Sequence, residues 1–391
     1  MDYDVVIIGG GIHGVGVAQA SAVRGHKTLL IEQYTKLAEG TSSRSSKLIH
    51  GGLRYLEQFQ FALVRECLLE RSYLLNNAPD LVKLKSVYIP VYKHSKRPPW
   101  MIRAGLSLYA LLGNLSVSNR FKKIPKHQWP KLHNINTENL RAVYQYYEAQ
   151  TDDRLLTQAV MNSAIEHGAT LMLNTKVNSV ELQDDHCIIT INTHTGESVT
   201  ISSKTVINAA GPWATTVLDN VRPKQDNISV DLVQGTHIVL PLQLGDAIFY
   251  LESPDDQRPL FIMPWYGDTM VGTTESLFTK DPAKTAPLKE EIDYLLNAFC
   301  YHFPTFKKEQ LAIKNQFSGL RVLPKASKDA NQRSRETIYL RDRKSKPRLV
   351  SIFGGKLTAY RSTAEEALSY LEDSLPKAKP HIKTKYLKLN S

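Results

Sequence analysis

Cysteine is scarce in this sequence: among 391 residues there are only Cys67, Cys187 and Cys300, far apart and in no CxxC or Cys/His spacing. That argues against a disulfide framework and a zinc site, and it fits a reducing compartment. No apolar run reaches the ~18 residues of a membrane-crossing helix, and no low-complexity tract or internal repeat is visible. No cleavable leader is expected, because the first residues already read as a strand. Acidic residues are in deficit: 49 Lys and Arg against 38 Asp and Glu leave 49 − 38 = +11. Such an excess favours an anionic partner, whether phosphate, nucleic acid or an acidic membrane surface. Nucleic acid is the least supported, since the lysines are spread along the chain without a clustered basic face and stacking aromatics. The rest is ordinary: 42% apolar and 22% charged residues, as in a folded chain long enough for two domains.

The first stretch, "DYDVVIIGGG", is a β-branched run that ends abruptly in glycine, followed by "IHGVGVAQASAVRGHKTLLIE". Gly9-x-Gly11-x-x-Gly14 stands where a parallel strand turns into a helix, and Lys27 to Ile31 reads as the next strand, so the pattern is a βαβ unit. Its glycines allow a tight turn and a close approach to a pyrophosphate, which rests on the exposed N–H groups of the helix start. Glu32 follows the last glycine by 32 − 14 = 18 residues, where a carboxylate accepts hydrogen bonds from ribose hydroxyls. This acid argues against a 2′-phosphate but leaves NAD and FAD open. A structural glycine turn in some other α/β protein is the plainer reading, and the strand, helix and acid in register weigh against it.

The next segment separates the two cofactors. "TSSRSSKLIHGGLRYLE" (41–57) carries Thr41, Ser42, Ser43, Ser45 and Ser46 as neutral donors, and Gly51-Gly52 lets the chain pass close to a flat ring. With the βαβ motif, this run resembles the FAD-dependent glycerol-3-phosphate dehydrogenases of the glycine-oxidase and D-amino-acid-oxidase-like flavoprotein superfamily. The resemblance covers residues 1 to about 371. It continues through "HGATLMLNTKVNSVEL" (167–182), read as a strand pair, "KTVINAAGPWA" (204–214), "QFSGLRVLP" (316–324) and "VSIFGGKLTAYRSTAEEALSYL" (350–371), a strand, a Gly-Gly turn and a helix.

The resemblance implies an α/β fold: a discontinuous Rossmann-like FAD-binding domain from 1–85, 150–225 and 341–375, and a substrate or cap domain on a mostly antiparallel sheet from 86–149 and 226–340, with 376–391 as a tail. The alternation of apolar and polar residues in "DLVQGTHIVLPL" and "PLFIMPWYGDTMVGTT" agrees with such a sheet. FAD is the implied cofactor, with contacts from Gly9, Gly11, Gly14, Glu32, Thr41, Ser42, Ser46, Lys47, Leu48, Val177, Gly211, Trp213, Gly354, Gly355, Lys356, Leu357 and Thr358. Bacterial members usually carry a further helical domain after the last flavin helix, and none is expected from this sequence, whose last residues read "KPHIKTKYLKLNS".

The implied reaction is oxidation of sn-glycerol 3-phosphate to dihydroxyacetone phosphate by hydride transfer to FAD. It needs a base for the hydroxyl proton and cations for a dianionic phosphate. Arg54, Arg321, Arg335 and Lys356 are the expected phosphate ligands, with Arg333 as a substitute for Arg335, Tyr55 as a further substrate contact, and Thr273 and Thr274 as second-rank candidates to hydrogen-bond the substrate or flavin. Guanidinium forks match phosphate oxygens in pairs. His237 is the expected base, with Arg321 and Arg54 beside it as catalytic residues; a lone strand histidine is otherwise an ordinary core residue. His50 is a weaker candidate of the same kind. A membrane quinone is the expected electron acceptor. The basic, apolar stretch 93–113 is read either as an interfacial helix, with Trp100, Met101, Leu106 and Leu108 toward acyl chains, or as an ordinary cap helix. The location implied is cytoplasmic, extended to the inner face of the cell membrane. The rival reading on the same fold is an oxidase of an amine, amino acid or 2-hydroxy acid with oxygen as acceptor.

Overall fold

A computed structural model of the chain describes every residue except 133–134, 194, 326–336, 379 and 391. The β-branched run Tyr3–Ile8 forms a strand whose last four residues are buried on both faces, as a central parallel strand requires. It pairs in parallel with Thr28–Ile31 on one side and with the end of Ser198–Asn208 on the other. Thr170–Met172 extends this layer beyond Thr28–Ile31, and Leu349–Phe353 joins the far flank of Ser198–Asn208, again in parallel. The first half of Ser198–Asn208 pairs antiparallel with Cys187–Asn192, which pairs in turn with Lys176–Leu182. The stretch 167–182 therefore does form strands, but they do not pair with each other. Thr170–Met172 closes the open edge of the parallel layer while Lys176–Leu182 starts the antiparallel meander.

The helix Ile12–Val23 has every residue buried except His13. Its alanines and glycines make it thin enough to fit against the sheet and between the helices Asp153–Glu166 and Tyr360–Ser369. Asp152 caps the first of those helices by accepting from the Arg154 and Leu155 N–H groups.

The second sheet is mostly antiparallel. Val230–Leu240 pairs with Asn315–Pro324, Asp268–Gly272 and Ser276–Phe278. Val82–Tyr92 pairs with Leu140–Thr151 and meets Ile248–Glu252 in parallel. One face of this sheet packs Ile238, Leu240 and Phe249 against Leu295 and Phe299 of the helix Lys289–His302. Each such fully buried side chain contributes about 1.5–3 kcal/mol. The other face packs Val87, Tyr146 and Met270 against Leu106 and Tyr109 of the helix Pro99–Leu112. The short strand Leu48–Ile49 pairs with Leu140–Thr151, so the hydroxyl-rich run crosses from the first sheet to the second.

Candidate active site

The crossing leaves a cavity of about 1050 Å³ between the two sheets. Its nucleotide side starts at the glycine turn. Gly9 has φ +110°, a conformation that L side chains rarely adopt. A Cβ on Gly14 would lie 1.9 Å from the Gly9 carbonyl oxygen. Gly14 thus stands behind the wall, allowing strand end and helix start to touch, while Gly9 and Gly11 form the wall itself. The Glu32 carboxylate accepts the Gly10 N–H at 2.5 Å and the Tyr34 N–H at 2.9 Å. Burial raises its pKa, and the backbone hydrogen bonds work against that rise. Val177, Gly211 and Trp213 line the same side, with Tyr34 edge-on to Trp213 at 5.9 Å.

The hydroxyl-rich run supplies the adjoining wall. Thr41, Ser42, Ser46 and Leu48 line the cavity, yet several of its polar groups are already engaged with protein. Ser42 Oγ accepts the Ile12 N–H at 2.9 Å, and Thr41 donates to the Leu320 carbonyl at 2.6 Å. Ser45 Oγ and Lys47 Nζ both donate to Asp153 at 2.6 Å. Lys47 is buried between the rings of Trp265 and Phe317, at 5.4 and 5.1 Å, and lies off the cavity wall. Its ammonium therefore anchors the run, a role that the expectation of a cofactor contact did not include.

Beyond the nucleotide side, Arg54, Tyr55, His50, His237, Arg321 and Lys356 also line the cavity, as do Gly354, Gly355, Leu357 and Thr358. Lys356 Nζ sits 4.5 Å over the Tyr55 ring. The His50 N–H donates to Thr358 Oγ1 at 3.0 Å. His237 stacks on Phe317 at 5.0 Å, and its Nε2 lies 2.9 Å from Ser46 Oγ. Burial, with Lys47 and Arg321 nearby, lowers its pKa to about 3. Arg321 donates to Glu275 and to the Thr274 carbonyl, each at 2.9 Å. Thr274 itself is turned away from the cavity, its hydroxyl donating to Glu291 at 2.9 Å, and Thr273 takes its place on the wall. Arg335 and Arg333 lie outside the described residues.

Residues that sequence reasoning missed support this end from behind. Gly51 N–H donates to the Tyr109 hydroxyl at 2.8 Å. Tyr109 donates to Glu148, which forms a buried ion pair with Arg71. Glu148 also reaches the cavity wall, as do Tyr250 and Phe261. Only charges at positions of low exposure within apolar patterns mark such residues in a sequence, and that signal names no partner.

The arrangement suits a flavin dinucleotide: a pyrophosphate cradle of backbone, an acid at the ribose position and a wide continuous cavity. Two buried ring nitrogens on its wall, His13 Nε2 and His237 Nδ1, have no hydrogen-bond partner among the described residues, as expected where a ligand provides one. This is the architecture of a flavin-dependent oxidoreductase. The family described as FAD dependent oxidoreductase matches residues 4–361, and the chain belongs to it, with FAD as its cofactor. The chain is 38% identical over 379 residues to glycerol-3-phosphate dehydrogenase of Pseudomonas aeruginosa, covering 95% of this chain and 72% of that one. It is 36% identical over 379 residues to D-erythritol 1-phosphate dehydrogenase of Brucella abortus, covering 95% and 74%. The crystal structure of glycerol-3-phosphate dehydrogenase from Bacillus halodurans, complexed with FAD, superposes with a TM-score of 0.76 at 28% identity, over all of this chain and 68% of that one.

Proposed function

We propose that the chain oxidises sn-glycerol 3-phosphate at carbon 2 to dihydroxyacetone phosphate. The observation that carries this reading is that Arg54, Arg321 and Lys356, cations from three distant segments, line the same cavity as His50 and His237. Guanidinium groups in this number suit a phosphate dianion. The two relatives, named for activities on polyol phosphates, support the same substrate class. In this reading residues 1–85, 150–225 and 341–375 form the FAD unit, and 86–149 and 226–340 the substrate unit.

When bound, FAD takes up the electron pair and the hydrogen released from carbon 2. Arg54, Arg321 and Lys356 bind the phosphate, with Tyr55 packed under Lys356. Arg321 is held in plane by Glu275 and the Thr274 carbonyl. His237 is the base. Burial and the neighbouring cations keep it neutral; with its Nε2 proton donated to Ser46, Nδ1 accepts the hydroxyl proton. Phosphate on Arg321 removes part of the repulsion that weakens the imidazole, so the base strengthens as substrate arrives.

The test is an anaerobic visible spectrum of the flavoprotein before and after sn-glycerol 3-phosphate, with erythritol 1-phosphate in parallel. Bleaching by the first supports the proposal, and bleaching by the second alone moves the assignment to four-carbon substrates. A flavin that stays oxidised with both and is reduced by amino or hydroxy acids overturns it.

The acceptor we propose is a quinone, reached from the cytoplasmic face of the membrane. Among the described residues no helix is long and apolar enough to cross a membrane. Leu106 is buried and Leu108 half-buried against the second sheet, contrary to the lipid-facing roles expected for them. The exposed apolar side chains include Trp100 (69%), Met101 (41%), Leu111 (61%) and Phe59 (79%), the residue that ends the 3-10 segment carrying Arg54, with Lys93, Lys96 and Arg103 exposed nearby in sequence. Sedimentation with anionic vesicles, lost on Trp100→Ser, supports this; rapid oxygen consumption with glycerol 3-phosphate points instead to oxygen.

A further inference from the structure

Glu291 is a buried carboxylate that the proposed reaction does not use. It lies in the first turn of the helix Lys289–His302, 5% exposed, behind the wall that carries His237 and Arg321. Along Val230–Leu240 successive residues face opposite sides. Gly235 and His237 line the cavity, while the side chains of Gln234 and Thr236 reach the helix. There Glu291 collects them. Its Oε2 accepts from Gln234 Nε2 at 2.7 Å, Thr236 Oγ1 at 2.5 Å and the Leu288 N–H at 3.2 Å. Its Oε1 accepts from Thr274 Oγ1 at 2.9 Å and Ser276 Oγ at 2.8 Å.

A carboxylate at a helix start needs only the local N–H groups, and an apolar side chain is usually the less costly occupant of a buried position. Here burial opposes ionisation, yet the hydrogen bonds from Thr236, Ser276 and Gln234 outweigh it and hold the carboxyl below its usual range. An ionised carboxylate only accepts, so each hydroxyl proton points at Glu291 and the orientation of each partner is set. Thr274 is the consequential one. Its Oγ1 also accepts the Thr236 N–H at 2.9 Å, and its carbonyl accepts Arg321 Nη2 at 2.9 Å.

We infer that Glu291 is a positioning residue for the phosphate end of the cavity, fixing Thr274 so that the Thr274 carbonyl holds the Arg321 guanidinium in its binding orientation. The inference rests on Arg321 as a phosphate ligand, and the experiment separates the two. Thr274→Val, Thr274→Ser, Glu291→Gln and Arg321→Met are made singly, and Thr274→Val and Glu291→Gln are each combined with Arg321→Met. Flavin content, melting temperature, KM and kcat for sn-glycerol 3-phosphate, and inhibition by phosphoglycolate are measured on the FAD-loaded enzymes.

Thr274→Val and Glu291→Gln are expected to keep the flavin and to raise KM and the inhibition constant roughly tenfold, the size of a lost hydrogen bond to a charged group. kcat should change less, and Thr274→Ser should restore the wild-type values. On the Arg321→Met background neither substitution should weaken binding further, since interacting residues are non-additive. Variants that lower the melting temperature alone, or whose binding effects add fully on that background, overturn the inference. If Arg321→Met binds phosphoglycolate like wild type, the phosphate reading fails and the inference falls with it. Should Glu291→Gln fail to fold, the Thr274→Val and Thr274→Ser pair decides.

Discussion

The two ends of the cavity are built by opposite means. The nucleotide end is made largely of backbone: a glycine turn and the start of one helix within residues 3–34, with the Glu32 carboxylate beside them and Val177, Gly211 and Trp213 joining from later segments. The proposed substrate end is made of side chains from segments around 50–55, 237, 321 and 356, and groups on other elements hold Gly51 and Arg321 in place. Backbone recognition demands only that no side chain intrude. Recognition by side chains demands a second set of residues to hold the first, such as Glu148 beneath Gly51 and Glu291 behind Arg321.

Substitutions that attack one end and spare the other test this contrast. The largest effect is expected from Glu148→Ala, which leaves Arg71 buried without its partner carboxylate. Loss of about 3–5 kcal/mol of stability should follow, read by denaturant unfolding; an unchanged midpoint would remove the buried network from the account. Gly14→Ala places a methyl against the Gly9 carbonyl and should cost about 3 kcal/mol, the upper end of overpacking. It should appear as colourless protein after gel filtration, with retained yellow colour as the contrary result. Arg54→Met should keep its flavin while KM for glycerol phosphate rises roughly a hundredfold, the upper range for hydrogen bonds to a charged group. Tyr109→Phe removes only the hydroxyl under Gly51 and should cost about 1 kcal/mol with flavin content intact.

The gentlest perturbation is pH. Burial lowers the pKa of His13 to about 4, of His302 to about 4 and of His237 to about 3, from an ordinary 6.5. Because the folded values lie below the unfolded one, these groups contribute stability that is complete above pH 6.5 and is lost as pH falls toward 4 and then 3. Melting temperature and flavin retention should decline together over that range. A flat melting temperature from pH 7 to 4 would contradict it, since the buried histidines would then be taking protons without cost.

Legibility in the sequence divides along the same line. Gly9, Gly11, Gly14 and Glu32 were readable as parts of the cavity's nucleotide side because a glycine turn followed by an acid is a local pattern with a fixed spacing. The strand Leu349–Phe353 and the helix Tyr360–Ser369 were readable from their apolar periodicity. The placement of Thr274 was not: Thr273 and Thr274 look alike in a sequence, and only the donors around Glu291 show which of the two faces inward. The ion pair of Lys47 was likewise not readable, because nothing near it in the chain announces Asp153, 106 residues away. Leu106 read as apolar and surface-bound, yet the sheet behind it absorbs that side chain.

By itself the sequence determined a dinucleotide cradle, two kinds of sheet and a hydroxyl-rich run after the second strand, since each depends on the stereochemistry of neighbouring residues and on periods of two and 3.6. The tertiary structure alone decided which hydroxyls face the cavity, which cations meet there and which carboxylates stand behind them. Those choices depend on hydrogen bonds between residues tens to hundreds of positions apart, whose geometry does not exist until the two sheets close on each other.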